Sequence, residues 1–154
     1  MSIATIRQGI VDKLSAVTGV TNVLDYIVWT DDWNVIYEKF CDDSERVNVW
    51  MIGLGASPLA KLGNSYRERP YTFNIVGYYS IKTSLETSKT FENTIGNIID
   101  AFDGTRSVVA GSEIVQPIAL SSMSNTLFAQ HPAHTAVMSL TINNRAEVSS
   151  PCSG

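Results

Sequence analysis

Hydrophobic and polar positions alternate most cleanly over residues 70–81. Tyr71, Phe73, Ile75, Tyr79 and Ile81 fall on one face there, and Thr72, Asn74, Tyr78 and Ser80 on the other. A period of two is that of a half-buried strand, with Val76 as the one departure. The period then lengthens. Phe91, Ile95, Ile98, Ile99 and Phe102 recur at helical spacing, which predicts an amphipathic helix over 84–102 whose apolar stripe covers the strand. Thr83 and Glu86 have the spacing of a capping box at its start, and Gly104 offers a left-handed stop at its end.

The same reading places a first helix on Ile3, Ile6, Ile10, Leu14 and Val17, ending near Gly19. Asp31 or Asp32 caps a short second helix carrying Trp33, Ile36, Tyr37 and Phe40. Residues 47–54 are almost wholly apolar, with Trp50 and Ile52 on one face and Val49 and Met51 on the other. That suits a central strand covered on both sides and paired with the strand at 70–81. Residues 113–121 predict a strand with Ile114, Ile118 and Leu120 in register; Pro117 cannot donate to a ladder, so the strand belongs at an edge or holds a bulge. A last strand covers 135–143, with Ala136, Met138, Leu140 and Ile142 on its apolar side. Between these elements, 55–69 (turn formers Pro58, Gly63 and Asn64) and 122–134 (with Leu127 and Phe128) read as long loops suited to partner contact.

The order is helix, short helix, strand, strand, long helix, strand, strand. It predicts one α+β domain over 1–148, with a mixed, mostly antiparallel four-stranded sheet, helices on one face, and a flexible tail at 149–154. The second face of that sheet carries Thr72, Asn74, Ser80, Ser139 and Thr141, polar but scarcely charged, as expected where part of a face is buried between subunits.

Charge sharpens this picture. Asp, Glu, Lys and Arg make up 17% of the chain, below the roughly 25% of an ordinary soluble domain, and the net charge is −4. An acidic chain without clustered Lys and Arg does not grip nucleic acid by neutralising phosphates. The first residues lack the basic and apolar regions of a secretory signal, and no run is long enough to span a bilayer. Cys41 and Cys152 are isolated thiols, so synthesis in a reducing cytoplasm is expected and a framework disulfide is not.

Catalytic chemistry has little to stand on. His131 and His134 would need Cys41, Asp42 or Asp43 brought close to hold a metal, and the plainer reading is a polar loop; no metal or cofactor is expected. No serine sits in a nucleophile elbow, and Gly53 and Gly55 lack the third glycine of a dinucleotide turn. Asp42, Asp43 and Glu45 form an acidic patch that reads as a solvated turn rather than an acid/base pair. Arg67, Glu68 and Arg69 fit inter-subunit ion pairs better than an anion clamp. Trp29, Trp33 and Trp50 are core residues by default.

Several segments together resemble a known family, the tail-terminator or tail-completion proteins of long-tailed bacteriophages and prophages. They are residues 3–14 with 17–23, Asp32 and Trp33 with Phe40, residues 69–73 through 77–79 and 89–91, and 134–142. The resemblance implies a small structural subunit, not an enzyme, that assembles as a hexameric ring at the head-proximal end of the tail tube. It implies that the ring stops tube polymerisation and docks on the head connector, with DNA passing through the lumen unbound. The expected partners are further copies of the chain, the tail tube protein and the head-tail connector proteins, and the expected location is the tail or neck of the virion. Tyr66, Arg67, Arg69, Leu127 and Phe128 are candidate interface residues by loop position, and Asp42, Asp43 and Glu45 candidate lumen-facing charges. The alternatives are another head-tail connector or neck-ring component, or a domain enclosing a small ligand between sheet and helices, where Tyr79 alone offers a polar group.

Overall fold

The computed structural model describes residues 2–28, 41, 46–55, 61–62, 66–82, 86–128 and 131–147. Helices α1 (Ile3–Ser15) and α2 (Thr87–Asp103) accompany six strands: β1 (Asn22–Leu24), β2 (Asn48–Leu54), β3 (Lys61–Leu62), β4 (Tyr66–Ser80), β5 (Ser112–Phe128) and β6 (His131–Glu147). The main sheet runs β1-β2-β4-β6-β5, with β3 paired to β4 off this path. Among the described residues only β1 and β2 pair in parallel; the other ladders are antiparallel. The chain is therefore α+β with a mixed, mostly antiparallel sheet. The four expected strands are present, joined by the short β1 and β3.

Both helices pack on one face. Ile6, Ile10 and Leu14 of α1 and Phe91, Ile95, Ile98 and Phe102 of α2 share a core with Trp50, Ile52, Phe73, Ile75, Met138, Leu140 and Ile142. The period-two pattern of β4 and β6 places these side chains together. The ladder sets Ile52 beside Ile75 and Met138, and Phe73 beside Leu140, so three strands present one continuous apolar surface. Opposite Trp50 stands Gly77, where a Cβ would lie 2.3 Å from the indole, so the strand carries glycine where the ring crosses it.

The helix ends differ from each other. The Ser2 hydroxyl caps α1 by accepting from the Thr5 amide at 3.1 Å, and Gly19 leaves the helix region at φ +96. Helix α2 starts at Thr87, later than the spacing predicted. Glu86 sits at its N-cap in the left-handed region, at φ 51, without a side-chain cap bond, so it does not complete a capping box; Thr83 lies outside the described residues. Gly104 is not left-handed either: its φ is −86.

β2 is the covered central strand expected of it. Trp50 and Ile52 face the helices, while Val47, Val49 and Met51 join Phe128 and Ala133 in a second cluster behind the sheet. Apart from Gly55, the described residues of the two expected loops are strand. β4 begins at Tyr66 and pairs with β3 and β6, and β5 continues through 122–128 to face His131. The predicted helix at 31–40 lies outside the described residues.

Candidate functional site

Residues 112–147 form the outer part of the sheet: two 17-residue strands whose register runs from Ser112 opposite Asn144 to Phe128 opposite His131. β6 is flanked by β4 and β5, whereas among the described residues β5 has a strand neighbour on one side only. Its ladder shifts register between Ile114 and Gln116, Gln116 and Ala119, and Leu120 and Ser122. Pro117 falls within this irregular stretch, the edge-and-bulge solution its missing N–H demands. From Ser122 onward the pairing is regular.

Residues 114–144 contain no Asp, Glu, Lys or Arg. Edge strands are ordinarily protected from stray pairing by inward charges, lysines or shortness. β5 has its bulges, one proline and, near its start, the single charge of Glu113. Its helix-side face passes from buried Ile118 to exposed Leu120, Met123 and Leu127, and Val115 is exposed as well. Ser121, Ser122, Ser124, Asn125 and Thr126 fill the remaining positions of 121–126, all exposed. An edge uncharged from Ile114 to Phe128, with apolar side chains along it, is suited to receive another strand or apolar surface.

The base of this edge is held by a buried histidine. His134 Nδ1 lies 2.8 Å from Asn125 Oδ1, and Nε2 lies 2.9 Å from Thr87 Oγ1. Thr87 Oγ1 in turn accepts from the Lys82 amide at 3.0 Å. One neutral tautomer satisfies the set: Nδ1–H donates to Asn125, and the Thr87 hydroxyl donates to Nε2. The ring also stacks on Phe91, at 5.8 Å between centroids. Burial lowers the His134 pKa, and the Glu92 carboxylate partly raises it again. The polar-loop reading of this histidine is thereby corrected, because it ties β5 and β6 to the first turn of α2.

Behind the sheet the polar residues bond to one another. Thr72 and Thr141 hydroxyls lie 2.9 Å apart, and Thr141 donates to Gln116 Oε1 at 3.1 Å, a row crossing β4, β6 and β5. Cross-ladder bonds thus satisfy Thr72, Thr141 and Gln116 on this face without charge.

Of the candidate interface residues, Leu127 is 69% exposed at the end of β5, whereas Phe128 is 6% exposed. Phe128 stacks on Tyr78 at 4.3 Å, so its apolar surface is spent inside the subunit and it is no exposed anchor. The alternation of β5 separates them: Leu127 falls on the helix side with Met123 and Asn125, and Phe128 on the other. Tyr66, Arg67 and Arg69 lie on β4 rather than in a loop, paired with Glu147, Ala146 and Asn144 of β6. Asp42, Asp43 and Glu45 lie outside the described residues, as do Trp29 and Trp33; Trp50 is in the core. The exposed Leu120 and Met123 were not among the expected contact residues. The absence of charge across 114–144 was the signal in the sequence that marked them.

No group of three or more His, Cys, Asp and Glu side chains able to hold a metal occurs among the described residues. The space between sheet and helices, where an enclosed ligand would sit, is filled by Phe73, Phe91, Ile75 and Met138. A groove of about 940 Å³ lies instead on the outer surface between α1 and α2, lined by Gly9, Asp12, Lys13, Asn97, Asp100 and Val108 among others. No helix among the described residues is long and apolar enough to cross a membrane. No protein-family model matches the sequence, and no curated protein matches it either.

Proposed function

We propose that this chain is a ring-forming structural subunit of a phage tail: a terminator that sits on the head-proximal end of the tail tube, ends its growth and joins it to the head connector. The resemblance of the sequence to that family motivates the proposal. The observation that carries it is the 17-residue edge strand β5, which has no charged residue after Glu113 and exposes apolar side chains. Such an edge serves assembly better than life as a free monomer. A net charge of −4 suits a lumen through which DNA slides, because an acidic wall repels phosphates and holds none of them. The packed core between sheet and helices favours this structural role over the enclosed-ligand alternative.

The test is to add the purified protein to growing tail tubes and image them by negative stain. A ring at one tube end, tubes that stop lengthening, and capture of connector particles by the capped end are the expected results. Tubes that keep elongating with the protein in excess would refute the terminator role; binding to the connector alone would favour a different neck-ring component.

A further inference from the structure

Seven large hydrophobic residues are exposed among the described residues: Tyr26, Ile27, Leu54, Val115, Leu120, Met123 and Leu127. They fall into two groups at opposite lateral ends of the sheet. Tyr26 and Ile27 follow β1, with Ile27 lying against the backbone of Gly53, and Leu54 closes β2. The other four lie on β5. Neither helix contributes one, nor do residues 70–80 of β4 and 131–143 of β6.

We infer that these two ends are the two halves of one head-to-tail contact, in which the β5 edge of one copy docks against the β1 end of the next. A two-fold contact uses a single self-complementary patch, whereas a head-to-tail contact uses two different patches, which is how the exposed apolar surface is divided here. Among the described residues the outer edge of β5 has no strand partner, and past Glu113 at its start it brings no charge that would repel an apolar surface. The occupant is therefore a second copy of this chain. Because the patches lie at opposite ends of the sheet, each subunit can bind a neighbour on both sides at once, and a fixed rotation per contact closes the series into a ring. The inference rests on the ring reading in taking the partner to be another copy.

Two surface variants of the full chain test it, each checked for folding by circular dichroism. One carries Met123→Lys with Leu127→Lys, the other Tyr26→Lys with Leu54→Lys; all four positions are exposed, so folding is retained. Light scattering and sedimentation across a concentration series should show the unaltered chain as a multi-subunit species and each variant alone as a monomer. An equimolar mixture of the two variants should stop at a heterodimer, since one intact pair of patches remains. Unchanged assembly of the β5 variant would overturn the inference. So would homodimers of the Tyr26/Leu54 variant that persist on mixing, which would mean that two β5 edges pair with each other. An unaltered chain that is monomeric alone but forms rings on tail tubes would refute this intrinsic contact and leave the terminator role standing. Rings that ignore tubes would do the reverse.

Discussion

Adding one methyl group to this protein has opposite effects at two glycines. At Gly77 a Cβ would stand 2.3 Å from Cζ3, 2.4 Å from Cε3 and 2.7 Å from Cη2 of Trp50. Carbon atoms rest at about 3.5–4.0 Å, so the indole would have to retreat by roughly 1 Å. It has little freedom to do so: Trp50 is 1% exposed, it stacks on Phe91 at 5.6 Å, and its Nε1–H donates to Asn48 Oδ1 at 3.1 Å. Overpacking costs about 1–3 kcal/mol and loss of the indole hydrogen bond about 1 kcal/mol, offset by about 0.5–1 kcal/mol from reduced backbone freedom in the unfolded chain. Gly77→Ala should therefore destabilise by about 1–3 kcal/mol. At Gly96, inside α2, a Cβ would meet nothing within 4 Å, and Gly96→Ala should stabilise by about 0.5–1 kcal/mol. Urea titration read by tryptophan fluorescence and circular dichroism would measure both, the midpoint falling for the first and rising for the second at similar slope. The contact itself is tested in a Trp50→Phe background, which removes the crowded benzo ring. The Gly77→Ala cost should shrink there, giving a coupling energy above about 0.5 kcal/mol. An equal cost in both backgrounds, or a Gly77→Ala protein as stable as the parent, would refute the packing argument.

Stability should also fall with acid. The folded-state pKa of His134 is lowered by burial, so the unfolded chain takes up its proton first. The contribution is complete above about pH 6.5, the ordinary histidine value. It declines at up to about 1.4 kcal/mol per pH unit as the pH falls toward the folded-state pKa. His134→Gln should flatten that slope in pH-dependent urea titrations, and a slope unchanged by the substitution would sink the assignment. Thr87→Val leaves Nε2 without its donor and the Lys82 amide without its acceptor, and should cost about 1–3 kcal/mol; a smaller effect would show that the network is not closed as drawn. Phe128→Ala should cost about 3 kcal/mol through the lost Tyr78 stack, against about 0.5 kcal/mol or less for Leu127→Ala. Equal effects in thermal melts would contradict their opposite burial.

Local pattern carried far in this chain. The alternation of Tyr71, Phe73 and Ile75 and the helical spacing of Phe91, Ile95, Ile98 and Phe102 describe faces that meet in the structure, because burying apolar area requires each element to turn its one apolar side inward. The double coverage of 47–54 and the irregular edge around Pro117 were legible for similar reasons, a continuous apolar run in one case and a missing donor in the other. The boundaries of β4 and β5 were not. Residues 66–69 and 122–128 are polar enough to read as loop, and they are strand because β6 runs alongside and supplies ladder partners that sequence neighbours cannot. The fate of Phe128 likewise turned on register: one position from exposed Leu127, it lies on the opposite face, against Tyr78. His134 gained its role from Asn125 and Thr87, nine and forty-seven residues away. The sequence by itself determined the two long helices, the four main strands, their apolar faces and the charge-free run at 114–144, since periodicity and composition are local properties. Only the tertiary structure decided that β5 lies outermost with β6 between it and β4, because strand order is set by non-local pairing that leaves no periodic trace in the chain.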